Sequence, residues 1–174
     1  DVNGDGFKDL FVVNGHVDPR GTYRPQGLPD ALWHGKAFAQ EAQLYVSRNR
    51  ATKFSDVSAT SGPYFHDLHS ARGAAFGDID NDGDWDVVVS SVNEAPVVVR
   101  NDSRRFASAR LQLQGDRCNR DAIGARIRIT SGQLTQTEYV RSGTSYLSDH
   151  DRRVLVALPG GPACVEIQWP CGAK

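Results

Sequence analysis

Short apolar runs separated by polar and turn-forming residues dominate this chain, and helical periodicity is scarce. Many runs are rich in Val and Ile and are bounded by Gly, Asn, Asp or Pro, which is typical of short antiparallel strands. Strict alternation over 110–114 and 125–129 predicts strands with one buried and one solvated face. The pattern therefore predicts an all-β fold. The predicted strands are Leu10–Val13, Leu44–Ser47, Ala74–Ile79, Asp86–Val92, Val97–Arg100, Arg110–Gln114, Ala125–Ile129, Thr137–Val140, Val154–Leu158 and Val165–Trp169.

An internal repeat links two parts of the chain. The segment DVNGDGFKD at 1–9 recurs as DIDNDGDWD at 78–86, each followed by an apolar strand and then by a second strand ending in Arg-Asn. The first copy carries an insertion, about 16–43, which begins rich in Pro and Gly and includes a possible short helix, Pro29–Gln43.

Both copies fit the pattern Asp-x-[Asp/Asn]-x-Asp-Gly-x-x-Asp, which suits metal binding. Positions 1, 3 and 5 of such a loop direct oxygens at one centre, Gly at position 6 permits the turn, and position 7 offers a backbone carbonyl. The closing carboxylate is at position 9, so each loop resembles an EF-hand only in its first half. Oxygen ligands of this kind favour Ca²⁺ over Mg²⁺, and up to two ions are expected. The candidate ligands are Asp1, Asn3, Asp5, Phe7 and Asp9 in the first loop and Asp78, Asp80, Asp82, Asp84 and Asp86 in the second.

Charge favours the second loop as the stronger site. Five carboxylates within nine residues repel one another unless a cation or a proton compensates them. The first loop has Asn3 in place of an acid, and Asp1 is the first residue of the sequence, where fraying or the α-amino charge could spoil the site. The alternative is a solvated Asp/Gly turn that binds nothing, which the repetition makes less favourable.

Composition narrows the function classes. The 174 residues are 39% hydrophobic and 24% charged, with a mean hydropathy of −0.46, and no apolar run approaches the length of a membrane span. A net charge of −1 argues against a general nucleic-acid binder. Residues 1–106 carry 11 Lys and Arg against 15 Asp and Glu, whereas residues 107–174 carry 9 against 6. The absence of Met and the start inside an Asp loop suggest a piece of a longer chain.

The three cysteines leave at least one thiol without a partner in the chain. Cys164 and Cys171 flank a predicted strand, about 23 Å apart at ~3.3 Å per residue, so they should not pair with each other. A bond from Cys118 to either one is possible, and three free thiols are the favoured expectation.

No convincing catalytic set is present, so a non-enzyme is predicted. His66 and His69 could form a metal pair, but a polar loop is the favoured interpretation. The segment around Ser145 lacks the second Gly of a nucleophile elbow, so Ser145 and Ser148 are expected to satisfy backbone groups in a turn. His16 is expected to lie in a turn. The basic stretch is expected to form a solvated strand edge and comprises Arg100, Arg104, Arg105 and Arg110. The tryptophans Trp33, Trp85 and Trp169 are expected to be packing residues.

The Asp loops with their flanking strands resemble FG-GAP/VCBS-type β-propeller repeats. The run HSARGAAFGDIDNDGD at 69–84 is similar to the repeat that precedes an ASPIC/UnbV domain. NRDAIGAR at 119–126, GTSYLS at 143–148 and VEIQWP at 165–170 resemble the signature of that domain, in the same order. The nearest grouping is the cartilage acidic protein-like family.

This resemblance implies partial propeller blades over 1–106 and a small antiparallel β-sandwich-like ASPIC/UnbV domain over 107–174. Propellers usually have four to eight blades, so the remaining blades of a parent chain are expected partners, together with a protein or glycan ligand. The resemblance implies an extracellular or periplasmic calcium-binding repeat module that is non-catalytic and whose parent carries a signal peptide. The two Asp loops and the lack of a convincing catalytic set predict that it acts in binding, adhesion or protein interaction. The alternative is an accessory or catalytic domain of a secreted polysaccharide-active enzyme.

Overall fold

The computed structural model describes residues 1–15, 38–48, 50–103 and 107–172, and the regular structure in these ranges is almost entirely β-strand. It also contains two short 3₁₀ helices, η1 (Ser58–Thr60) and η2 (Pro63–His66). The predicted all-β class is confirmed. The strands are β1 (Leu10–Val12), β2 (Gln43–Arg48), β3 (Lys53–Asp56), β4 (Ala71–Gly77), β5 (Asp86–Ser91), β6 (Val97–Val99), β7 (Ser108–Leu111), β8 (Arg126–Ser131), β9 (Leu134–Tyr139), β10 (Val154–Ala157) and β11 (Ala163–Gln168).

Every predicted strand overlaps an observed one, but strand β3 is missed. Its sequence, Lys-Phe-Ser-Asp, is short and polar, and it forms because it pairs with β2. The predicted helix Pro29–Gln43 lies mostly outside the described residues, and its described part, 38–43, is not helical. There Gln40 exchanges two backbone hydrogen bonds with His69, and Gln43 begins β2. Cross-strand pairing supplies the hydrogen bonds that a helix would have made locally.

The strands form four small sheets. The order is β1-β2-β3 in one antiparallel sheet and β4-β5-β6 in a second sheet, as expected for partial propeller blades. Each Asp loop leads directly into a strand, β1 after the first loop and β5 after the second. The other two sheets are antiparallel, β10-β7 and β11-β8-β9.

The last two sheets share one hydrophobic core, which confirms the predicted sandwich-like arrangement. Ile127 and Ile129 of β8 are fully buried with Val154 and Val156 of β10, while Arg126 and the other outward residues of β8 are exposed. This is the alternation predicted for the segment, and it arises because successive side chains of a strand point to opposite faces.

The chain divides into two compact units. Unit one comprises Asp1–Lys8, Ala75–Val87 and Arg100–Lys174, and unit two comprises Asp9–Ala74 and Val88–Val99. The expected domain boundary near Phe106 lies outside the described residues. No helix in the described ranges has the length and hydropathy needed to cross a membrane.

Cys118 and Cys171 form a disulfide, with their Cα atoms 5.7 Å apart, and Cys164 is a free, exposed thiol. The expectation of three free thiols is therefore wrong. The two partners are 53 residues apart in sequence, and only the fold of unit one brings them together.

Candidate metal centre

The second Asp loop, 78–86, connects β4 to β5 within unit one. Its tight turn uses two residues in the left-handed region, Asn81 (φ 61°) and Gly83 (φ 96°). The positive φ of Gly83 is a conformation that residues with a Cβ atom rarely adopt, so the backbone favours glycine here. The predicted role of Gly at position 6 of the loop is met.

Three acids of this loop converge. Asp78, Asp80 and Asp86 each offer a carboxylate oxygen, and these oxygens lie within 4.8 Å of one another. Asp78 and Asp86 are buried, at 2% and 1% exposure, whereas Asp80 is exposed. The cluster could therefore hold a metal ion between two buried carboxylates and the exposed carboxylate of Asp80.

Asp86 is fixed by the backbone around it. One carboxylate oxygen accepts the N–H of Ile79 and the other accepts the N–H of Asn101, both at 2.9 Å. These bonds tie the start of the loop and the second residue after β6 to the first residue of β5.

Asp78 has one satisfied and one unsatisfied oxygen. Its Oδ2 accepts a hydrogen bond from Nη1 of Arg110 at 2.7 Å, whereas Oδ1 is buried without a donor. Burying a carboxylate oxygen without a partner costs free energy, so the site has unused capacity for a cation.

Two arginines also hold the loop, one through a side chain and one through the backbone. Nη1 of Arg110 donates to Oδ1 of Asn81 at 2.7 Å, and Nη2 of Arg153 donates to the carbonyl oxygen of Asp78 at 3.2 Å. Arg153 is itself positioned by Asp151, which accepts from its Nε at 2.7 Å. Both arginines belong to the C-terminal part of unit one, which thus orients the second Asp loop.

Asp84 gives the clearest electrostatic signal. Both of its carboxylate oxygens are buried without a hydrogen-bond donor. Burial, followed by the charges of Asp82, Asp86 and Asp80, raises the pKa of Asp84 to about 7. The loop concentrates negative charge that its own donors do not compensate. An oxygen-only donor set of this kind fits a hard divalent cation.

Asp82 shapes the turn. Its backbone N–H donates to Oδ1 of Asp80, and its own Oδ1 accepts the N–H of Asp84, both at 3.3 Å. Side chains two residues apart thus support the loop backbone, as short Asx turns do.

The first loop uses its side chains differently. The two carboxylate oxygens of Asp1 accept the N–H groups of Asp5 and Gly6 at 3.1 and 2.8 Å. Asn3 donates its amide to Oδ2 of Asp5 at 3.2 Å, while Oδ1 of Asp5 accepts the N–H of Phe7 at 2.9 Å. The oxygens of this loop are therefore already engaged with its own donors.

Asp9, the closing acid of the first loop, belongs to unit two, where it accepts the N–H of Ser47 at 2.7 Å. In the part of the chain that the structure describes, the convergent group of three acids lies in the second loop.

His66 and His69 are a candidate metal-binding pair by their sequence. Among the described residues, they do not belong to a group that could hold a metal ion. His66 is exposed, whereas Nδ1 of His69 lies 2.7 Å from Oε2 of Glu94, and His69 stacks on Tyr64. Burial tends to raise the pKa of Glu94, but its hydrogen bonds with His69 and the N–H of Ser70 lower it below the ordinary value. His69 is therefore one partner of a hydrogen-bonded pair, as the polar-loop interpretation expected.

The basic stretch behaves only partly as predicted. Arg100 pairs with Asp102 at 2.8 Å on the surface, but Arg110 is not a solvated edge residue because it pairs with the buried Asp78. Sequence reasoning missed the role of Arg110 because the loop and β7 are separated along the chain. His16, Trp33, Arg104 and Arg105 lie outside the described residues.

Fold and site together define an all-β repeat protein with an acidic loop that could hold a metal ion. Residues 1–89 match the model of the FG-GAP-like repeat family, and residues 115–174 match the ASPIC and UnbV family. The first match covers more than half of the sequence. The chain belongs to the FG-GAP-like repeat family and carries an ASPIC/UnbV domain, which confirms the resemblance found in the sequence. No curated protein matches the chain.

Proposed function

We propose that the chain is a calcium-binding repeat module of an extracellular or periplasmic protein, and that it acts by binding or adhesion rather than by catalysis. The observation that carries the proposal is the buried Oδ1 of Asp78, which lacks a donor beside the carboxylates of Asp80 and Asp86. A cation compensates such a cluster without requiring any of the acids to take up a proton.

The residues that would hold the ion in the second loop are Asp78, Asp80, Asp82 and Asp86, with position 7, Asp84, contributing an oxygen. When bound, calcium supplies positive charge and fixes the loop between β4 and β5. Ca²⁺ suits this set better than Mg²⁺ because it accepts six to eight oxygen ligands in flexible geometry. The first loop is the second candidate by its sequence, with Asp1, Asn3, Asp5, Phe7 and Asp9 as its ligands.

The binding role is supported by the architecture. Repeat proteins present extended surfaces assembled from successive modules, and this chain combines FG-GAP-like repeats with an ASPIC/UnbV domain. Its partner would be a protein or a glycan, and further propeller blades of a parent chain would complete the repeat array.

Isothermal titration with CaCl₂ tests the metal site. Asp80→Asn is the informative variant because Asp80 is exposed and can lose its charge without opening the core. We expect the variant to weaken binding at the second loop at least about tenfold, since a charged ligand is lost. Asp116→Asn, an exposed acid of unit one outside both loops, is the matched control and should leave binding unchanged.

Stability gives a second readout. Calcium at a hundred times its dissociation constant should add about 2.7 kcal/mol to the free energy of unfolding. This corresponds to a rise of about 5–10 °C in the melting temperature of a domain of this size. Melting scans in calcium, in magnesium and in excess chelator measure the rise. An unchanged midpoint in calcium, or an equal rise with magnesium, would contradict the proposed calcium site.

A further inference from the structure

The outer face of the sheet β11-β8-β9 carries a row of three side chains with binding chemistry. Strand register places Gln168 of β11 opposite Arg126 of β8, and Arg126 opposite Tyr139 of β9. All three residues are exposed. An amide, a guanidinium and a phenol therefore lie side by side across three hydrogen-bonded strands, which hold them at fixed spacing.

This row forms part of a shallow cavity of about 320 Å³ at one end of the sheet. Trp169 and Pro170, which follow β11, complete its lining with two glycines. Trp169 also packs against the hydrophobic core of unit one, so the core positions its ring. The volume lies at the small end of the range for ligand sites and suits one or two sugar units.

The charge of the cavity is positive and unpaired. Arg126 has no ion pair among the residues that the structure describes. Its neighbour Arg128, in the next row of the same face, lies opposite Glu166 in the strand register, although no ion pair joins their side chains in the described part of the chain. The guanidinium of Arg141 lies over the Tyr139 ring, 5.3 Å from its centroid, and adds a second positive charge beside the row.

We propose that this cavity binds an acidic saccharide, whose uronate carboxylate pairs with the guanidinium of Arg126. Arginine presents a planar set of donors that matches a carboxylate in a bidentate pair. The Gln168 amide can both donate to and accept from sugar hydroxyls. Trp169 and Tyr139 offer flat apolar surface for the C–H groups of a pyranose ring, together with polar edges.

An acidic peptide would satisfy the arginine equally well, but it would not require two aromatic rings and an amide within one small cavity. The combination of ring surface, amide and unpaired guanidinium favours a sugar acid. The inference deepens the proposed binding role by naming a ligand class, and it rests on that role. It does not rest on calcium, because the cavity contains none of the loop acids.

Isothermal titration of the full chain with trigalacturonate tests the proposal, with neutral maltotriose and hexaglutamate as comparison ligands. EDTA in the buffer prevents calcium from bridging the oligosaccharide to the Asp loops. We expect saturable binding of trigalacturonate with a dissociation constant of about 1 mM or below, as expected for one or two engaged sugar units. Both comparison ligands should bind at least about tenfold more weakly, because each lacks either the carboxylate or the sugar ring.

Arg126→Gln should weaken trigalacturonate binding about tenfold or more and remove the preference over maltotriose. Arg128→Gln is the matched control, since it removes the same charge from the same strand face outside the cavity, and it should change little. Gln168→Ala provides a second cavity variant at an exposed position, and it should weaken binding of the sugar. Melting scans verify that each variant is folded.

Three results would overturn the proposal: no saturable binding of trigalacturonate, equal binding of hexaglutamate, or equal losses in Arg126→Gln and Arg128→Gln. The Asp80→Asn variant separates this proposal from the calcium site. It should bind trigalacturonate like the unmodified chain in EDTA while losing calcium affinity, so either proposal can fail without the other.

Discussion

Nη1 of Arg110 lies 2.7 Å from Oδ2 of Asp78, whose side chain is only 1% exposed. The same nitrogen donates to Oδ1 of Asn81, so one guanidinium neutralises a buried acid and fixes the turn of the Asp loop. A cation of the protein itself thus already compensates part of the charge of this loop.

Arg110→Gln tests this relationship. Removing one partner of a buried ion pair leaves an uncompensated charge. Since Arg110 is itself one-third exposed, we expect a loss of about 1–3 kcal/mol in the free energy of unfolding measured in chelator. The stabilisation by calcium should be larger than in the unmodified chain, because the loop retains more negative charge. Chemical denaturation with and without calcium measures both effects.

Arg100→Gln is the matched control for that variant. Arg100 pairs with Asp102 on the surface, where both side chains are more than half exposed. Such pairs contribute little, so the free energy of unfolding in chelator should stay near the unmodified value. Equal effects of the two substitutions would argue against a special role of Arg110.

His150 should make stability depend on pH. Its ring packs edge-on against Phe76, and its Nδ1 accepts the N–H of Phe76 at 3.4 Å. Burial lowers the pKa of His150 below its ordinary value of 6.5, although the charge of Asp149 opposes the shift. The unfolded chain therefore binds a proton more readily than the folded chain. The stabilising contribution is complete above about pH 6.5 and is lost as pH falls through the lowered pKa.

His150→Gln should remove this part of the pH dependence, whereas His66→Gln at an exposed position should retain it. Urea denaturation at several pH values between about 5 and 8 measures the slope. A slope that is identical in the unmodified chain and in His150→Gln would show that His150 contributes nothing.

Ile127→Ala tests the shared core of the two C-terminal sheets. Ile127 is fully buried, so its truncation should cost about 2–5 kcal/mol through lost transfer free energy and a residual cavity. The exposed neighbour Arg128→Ala should change stability by less than about 0.5 kcal/mol. Denaturant titration compares the two, and a similar cost for both would contradict the assigned strand faces.

The disulfide between Cys118 and Cys171 should stabilise the chain by about 2–4 kcal/mol, because it closes a long loop in the unfolded state. Replacing both cysteines with serine should lower the melting temperature, whereas Cys164→Ser should leave it unchanged. Thiol titration of the denatured, unreduced chain should find one thiol. Three thiols would contradict the assigned bond.

Local sequence patterns predicted the strands well because each run had apolar residues at strand spacing and turn residues at its ends. The alternation over 125–129 also predicted the buried and exposed faces of β8. Strand β3 escaped prediction because its polar residues gain their structure from pairing with β2. Gln40, placed in a predicted helix, pairs instead with His69, a residue outside any local window.

The spacing of the acids predicted that carboxylates of the second loop converge, but it did not predict the residues that support them. The Asp spacing and Gly83 follow from the requirements of a tight loop, which the sequence contains directly. Arg110, Arg153 and Asn101 contact the loop from positions distant along the chain. Nothing in a linear pattern indicates which arginine reaches a given aspartate, since that depends on how the C-terminal sheets fold.

The two hydrogen bonds that Asp86 accepts have a practical consequence for mutagenesis. Alanine at this position would leave two backbone N–H groups, those of Ile79 and Asn101, without their acceptor, and the resulting loss of folded protein would look like a loss of metal affinity. Asp86 therefore holds chain segments together, in addition to being a candidate ligand. An alanine scan would therefore confuse folding with metal binding at Asp86, whereas a substitution at exposed Asp80 tests metal binding more directly.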